Sequence, residues 1–186
     1  MNVIQTELPG VLILEPQVFG DQRGYFLETW SHTRYEEAGI VGPFVQDNVA
    51  FSRKGILRGL HLQHPRSQGK LVQVLSGEVV DVAVDVRVGS PCFGRWVAER
   101  LSESNHRQMY IPPGLAHGYC VVSETALFSY KCTDFYSPAT ELGILWNDPD
   151  LGIDWSVAAP VVSSKDAGHP RLRDIPDQKL PHFGSI

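Results

Sequence analysis

Between Val79 and Val88 the chain alternates without a break, with Val80, Val82, Val84, Val86 and Val88 interleaved with Asp81, Ala83, Asp85 and Arg87. A period of two marks a strand, because successive side chains point to opposite faces. Leu71 to Leu75 comes just before, and the Ser76-Gly77 pair between the two runs predicts a tight turn and an antiparallel hairpin. Shorter strand-like runs lie at Val11 to Leu14, Tyr25 to Thr29, Phe44 to Ala50, Ile56 to Gln63, Gly94 to Leu101, Gln108 to Ile111, Gly118 to Val122 and Ala126 to Cys132. Glycine and proline punctuate them. Helix is expected only after Ser31 (HTRYEEAGI), with Gly39 as its stop, and as a turn starting at Ser163. From Trp146 the sequence becomes irregular and proline-rich, which predicts a tail wrapped over the strands rather than a second domain. Many short strands separated by turn signals predict an all-β sandwich, barrel or jelly roll with a few short peripheral helices. Residues 1–186 form one domain in this reading, with the irregular tail beginning near 147.

Composition narrows the class of function. The 186 residues suffice to bury a core without disulfide or metal staples, and 42% apolar with 20% charged residues describes an ordinary globular chain. No apolar run approaches the roughly 20 residues of a membrane span, and MNVIQTELPG lacks the basic and apolar parts of a leader, so a cytoplasmic protein is expected. Cys92, Cys120 and Cys132 are odd in number and lack CxxC spacing, which favours free buried thiols over a disulfide framework or zinc site. A net charge of −5 argues against general binding to nucleic acid or anionic membranes. Any phosphate has to be met by a few local arginines and lysines.

Four polar clusters interrupt the apolar runs. In Leu57-Arg58-Gly59-Leu60-His61 the histidine is either a base or a hydrogen-bonded structural residue, and a strand glycine often marks the close approach of a ligand. Gln68-Gly69-Lys70 places a lysine at the mouth of a strand, where a solvated surface role competes with a site role. Pro112-Pro113-Gly114 forms a rigid turn that delivers His117 to a strand. Tyr130 and Tyr136 stand six apart, which on a continuous strand puts both on one face. His61, His64, Glu78 and His117 contain enough ligands for a metal, but the odd offset of the first two turns them to opposite faces, so no metal site is expected.

Taken in order, Phe19-Gly20-Asp21-Gln22-Arg23-Gly24-Tyr25-Phe26-Leu27-Glu28, Phe44-Val45-Gln46-Asp47-Asn48, Leu57-Arg58-Gly59-Leu60-His61, Gln68-Gly69-Lys70, His117-Gly118-Tyr119, Phe128-Ser129-Tyr130-Lys131 and Ile144-Leu145-Trp146-Asn147-Asp148 resemble the dTDP-4-dehydrorhamnose 3,5-epimerase family. Each motif alone is weak, and the ordered set is specific. The resemblance implies a cupin-type double-stranded β-helix, a homodimer whose sites draw on both subunits, a dTDP-keto-sugar substrate, and neither metal nor nicotinamide cofactor.

A ketone at C4 acidifies C3 and C5, so inversion needs a base on one face, an acid on the other and a stabiliser for the enolate oxygen. By resemblance His61 is the base and Asp166 its partner, although Ser163-x-x-Asp166 is also a helix-capping pattern. Lys70 is the oxyanion donor and Tyr130 the opposite-face acid, while His117 contacts the sugar and Asp81 is positioned to orient it. Arg23 and Arg58 suit the diphosphate; Glu28, Gln46, Asp47 and Asn48 suit the thymine edge; Tyr136 stacks on the base; Phe26, Glu141 and Lys165 are further ligand contacts. His64-Pro65 and Asp134-Phe135 carry no assigned role. The competing readings are a single-centre epimerase or ketoisomerase of a related sugar, a non-catalytic sugar-binding cupin and a metal-dependent oxygenase.

Overall fold

The computed structural model describes residues 1–40 and 42–185. Two sheets carry the fold. The first runs β1 (Asn2–Gln5), β2 (Leu12–Glu15), β10 (Gln108–Ile111), β7 (Lys70–Ser76), β12 (Thr125–Cys132), β5 (Gln46–Arg53). The second runs β13 (Glu141–Gly143), β6 (Leu57–Gln63), β11 (Leu115–Val121), β8 (Glu78–Asp85), β9 (Trp96–Ser102). A separate hairpin joins β3 (Val18–Asp21) to β4 (Gly24–Leu27), and the helices are α1 (His32–Glu37) and α2 (Ser164–Ala167). The pairings in both sheets are antiparallel, and most of them join strands that are not consecutive in the chain, as in a jelly roll.

The strand from Val79 is present as expected, but its hairpin with Leu71–Leu75 is not. β7 pairs with β10 and β12 in one sheet, whereas β8 pairs with β11 and β9 in the other. Ser76-Gly77 is therefore a corner between sheets. Gly77 has φ +83, and a Cβ there would lie 2.0 Å from the Thr125 carbonyl oxygen, so the corner requires glycine. The strands β1, β3 and β13 were not evident from pattern, being three or four residues long with no clear alternation.

Both faces of the second sheet are covered. Val79 and Ala83 of β8 join the core between the sheets with Ile13, Val72, Met109 and Phe128. Val80, Val82 and Val84 face outward onto Leu151, Trp155, Leu172 and Leu180 of the tail. A strand buried on both sides explains why the alternating phase of β8 holds Asp81 and Asp85 fully buried instead of solvated. The tail is fastened at Asp148, whose Oδ2 accepts from the Leu172 N–H at 2.8 Å. Against the first sheet, Tyr35 of α1 and Ile40 just after it pack onto Leu12, Leu14 and Leu71, and Gly39, with φ +86, ends the helix. Among the described residues, no helix is long and apolar enough to cross a membrane.

Candidate active site

Arg58 and His61 differ by an odd number, so a regular strand would turn them to opposite faces. Both nevertheless line one cavity of about 570 Å³. Register supplies the reason: His61 faces His117 while Arg58 faces Tyr119, so β6 spends three residues where β11 spends two. One extra residue in β6 is a β-bulge, and it brings Arg58 and His61 to the same wall. Gly59 belongs to this device. With φ +138, a Cβ on it would lie 2.6 Å from the Gly118 Cα, so this glycine marks the close approach of β11 and not of a ligand.

The second lobe of the cavity, about 300 Å³, shares His61, Lys70 and Tyr130 with the first. These three residues mark the junction, with His61 on β6 in one sheet and Lys70 and Tyr130 on β7 and β12 in the other. Asp166 reaches the site from α2 in the tail. The Ser163 Oγ accepts from the Asp166 N–H at 3.0 Å, so the capping pattern is real, and it leaves the Asp166 carboxylate free to take the His61 ring at 2.8 Å. The helix cap and the contact with His61 therefore coexist in one residue.

This contact fixes the imidazole. The Asp166 Oδ1 accepts from His61 Nε2, which holds the neutral tautomer protonated there and leaves the Nδ1 lone pair as the basic position. Desolvation lowers the His61 pKa below its ordinary value, outweighing the opposite pull of Asp166, so the ring is neutral near pH 7. Burial also lowers Lys70, with partial compensation from Cys132, Asp81 and Glu141. Tyr130 is pushed up to about 12 by burial and therefore stays a donor. On the interior wall, His117 Nε2 bonds both Asp81 oxygens at 3.0 Å, the pairing expected from the polar phase of β8. Burial raises the Asp81 carboxyl and His117 opposes that rise.

Around this centre the predicted ligand contacts divide. Arg58, His117 and Lys165 line the first lobe and Gln46, Asn48, Tyr136 and Glu141 the second. Glu141 ties the lobes together, its Oε2 accepting from Lys165 Nζ at 2.5 Å and from the Tyr136 hydroxyl at 2.9 Å. Tyr136 does not share a strand face with Tyr130, because β12 ends at Cys132 and Tyr136 lies in the loop beyond. Asp47 lies outside both lobes: alternation along β5 turns it outward, paired with Lys131 Nζ at 2.8 Å. Arg23, Phe26 and Glu28 also lie away from the cavity of their own chain. Arg23 pairs with Asp21 at the tip of the β3–β4 hairpin, Phe26 is 69% exposed, and Glu28 holds Arg34. The set His61, His64, Glu78 and His117 is not assembled: His64 lies beyond β6, Glu78 holds Arg100, and His117 is taken by Asp81.

Sequence reasoning missed Tyr119, Phe128 and Gln63 as lining residues. Tyr119 was available from parity, two residues after His117 on β11; its ring stacks on Phe128 at 4.1 Å. Gln63 spans the loops, its Nε2 donating to the carbonyls of Arg66 and Phe135, and no local pattern signals that.

A neutral imidazole held by a carboxylate on one wall, with a hydroxyl donor and an ammonium on the facing wall, is suited to moving protons on and off carbon beside a carbonyl. On a cupin-type jelly roll that defines a carbohydrate epimerase. The relatives agree: the family model described as dTDP-4-dehydrorhamnose 3,5-epimerase matches residues 5–174, and the chain belongs to that family of isomerases. It is 53% identical over 176 residues to the dTDP-4-dehydrorhamnose 3,5-epimerase of Shigella flexneri, covering 94% of this chain and 97% of the relative. With the enzyme of that name from Pseudomonas aeruginosa it shares 54% identity over 168 residues, covering 89% and 93% of the two chains. Among solved structures, dTDP-6-deoxy-D-glucose-3,5-epimerase from Legionella pneumophila Philadelphia 1, in complex with dTDP-4-keto-L-rhamnose, superposes with TM-score 0.95 at 50% identity over 98% of both chains.

Proposed function

We propose that this protein epimerises dTDP-4-dehydro-6-deoxy-D-glucose at C3 and C5, giving dTDP-4-dehydro-L-rhamnose for dTDP-L-rhamnose synthesis. The observation that carries the reading is the His61–Asp166 pair set across the cavity from Lys70 and Tyr130. His61 Nδ1 removes the proton from carbon next to the C4 ketone, and Asp166 stabilises the resulting imidazolium. Lys70 meets the negative charge that develops on the C4 oxygen. Tyr130 returns a proton from the opposite face, so the centre is inverted. His117, held by Asp81, orients the sugar, and Arg58 with Lys165 suits the diphosphate. Gln46, Asn48, Tyr136 and Glu141 serve the nucleoside end. The test is incubation with this substrate in deuterated water: deuterium at both C3 and C5 of the product is expected, and label confined to one carbon rejects the double inversion.

We also propose a homodimer in which the β3–β4 hairpin brings Arg23, Phe26 and Glu28 to the partner's cavity. Phe19, Tyr25 and Phe26 on that hairpin, and Val49 and Phe51 on edge strand β5, are apolar side chains exposed by 58–69%, surface that a second copy would cover. Sedimentation at micromolar concentration is expected to give a dimer; a monomer with full activity would reject the shared site. Three free buried thiols suit a reducing compartment and support a cytoplasmic setting.

A further inference from the structure

His169 plays no part in the proposed mechanism, yet it sits directly behind it. Its Nε2 is buried, makes no hydrogen bond, and lies 3.6 Å from Asp166 Oδ1, the oxygen that also takes His61 Nε2 at 2.8 Å. The ring is packed against Gly143, where any Cβ would fall 2.1 Å from the same nitrogen. The His61 and His169 rings meet edge to face with centroids 5.9 Å apart. One ligand atom from each of His61, Asp166 and His169 lies within 4.8 Å of the others. A buried imidazole nitrogen without a hydrogen-bond partner, 3.6 Å from a carboxylate oxygen and close to a second imidazole, is a donor set spaced for a shared ion.

We infer that His61, Asp166 and His169 form an inhibitory site for a borderline-soft divalent cation, of which zinc is the type. Zinc bonds imidazole nitrogen and carboxylate oxygen at about 2.0–2.2 Å, so tetrahedral ligand atoms stand roughly 3.4 Å apart. The separations of 2.8 and 3.6 Å bracket that figure, so modest adjustment of the side chains would seat the ion. His61 and Asp166 both line the cavity, leaving the fourth position to water. Two imidazoles and one carboxylate favour zinc or copper over magnesium or calcium.

Inhibition follows from the tautomer. An ion at His61 Nε2 occupies the lone pair of that nitrogen, and the proton held there moves to Nδ1. No proton is gained or lost, but Nδ1 no longer has the lone pair that removes the substrate proton. The inhibitory half of this inference rests on the reading of His61 as the base; the binding half does not.

The test uses the full chain freed of metal, then titrated with zinc for activity and with cobalt(II) for visible spectra. Zinc is expected to abolish deuterium exchange into substrate, chelator to restore it, and cobalt to give the intense bands of a tetrahedral site. His169→Phe keeps the ring seated on Gly143 without its nitrogen. It should raise the inhibitory zinc concentration about tenfold or more, lose the cobalt bands and retain metal-free turnover. Equal zinc sensitivity in wild type and His169→Phe, or absence of the cobalt bands from wild type, overturns the site. Tetrahedral cobalt bands with undiminished exchange overturn the inhibition alone. Failure of the base assignment is read separately, from the metal-free turnover of a His61 variant.

Discussion

His61→Asn will lower turnover by about 10³-fold and remove solvent deuterium from both C3 and C5 of the recovered sugar. Asparagine keeps a planar hydrogen-bond donor for Asp166 in a smaller side chain, so the tail stays docked and the loss reports chemistry rather than folding. A 10³-fold loss corresponds to about 4 kcal/mol of barrier, within the range of a positioned general base. Both carbons should go silent together, because the other His–Asp pair at the cavity, His117 with Asp81, is assigned to orienting the sugar and not to removing its protons. Proton NMR of the reaction in deuterated water checks this directly. Near-normal turnover would show that another group removes the protons.

Tyr130→Phe will cut product formation by about 10²-fold or more while leaving exchange visible in substrate that has not been inverted. His61 still forms the enolate and returns a proton of solvent origin to the face it came from, so label enters without inversion. The facing wall then lacks its donor. With its pKa pushed up to about 12, Tyr130 holds its proton throughout the working range, and its ionisation does not shape the rate below that pH. An alkaline limb below 10.5 belongs instead to Lys70, whose ammonium loses its proton at a lower pH than usual because burial penalises the charge. Inversion by Tyr130→Phe at the wild-type rate would assign the donor elsewhere.

Much of the fold was legible because its strands are short and their neighbours are turns. β8 was clear from valine alternation, β10 was bounded correctly at Gln108 to Ile111, and Gly39 stopped α1 where expected. What failed was the assignment of strands to sheets. Ser76-Gly77 reads locally as a hairpin turn, and only the pairing of β7 with β12 and of β8 with β11 shows it to be a corner. Long-range pairing leaves no mark in a two-residue turn.

The site was legible unevenly for similar reasons. His61, Lys70, Tyr130 and Asp166 were named through the ordered motifs and the needs of the chemistry, and the fold brings them to one cavity. Parity alone would have separated Arg58 from His61. It would also have turned Asp47 outward, a signal that was present in the even spacing of Gln46 and Asn48 and was not used. His169 lay in a proline-rich tail with no periodicity, so nothing local pointed from it to Gly143 or Asp166.

The bulge in β6 makes this protein sensitive to counting. Substitutions along the strand change what a side chain is, but losing one residue between Arg58 and His61 would change the path of the strand, with the ladder to β11 still available in regular register. A single-codon deletion there is thus a different kind of lesion from a missense change: it would leave two residues facing two, with Arg58 opposite Tyr119 and His61 opposite His117 in a regular ladder, and would remove the local bend that the bulge puts into this wall of the cavity.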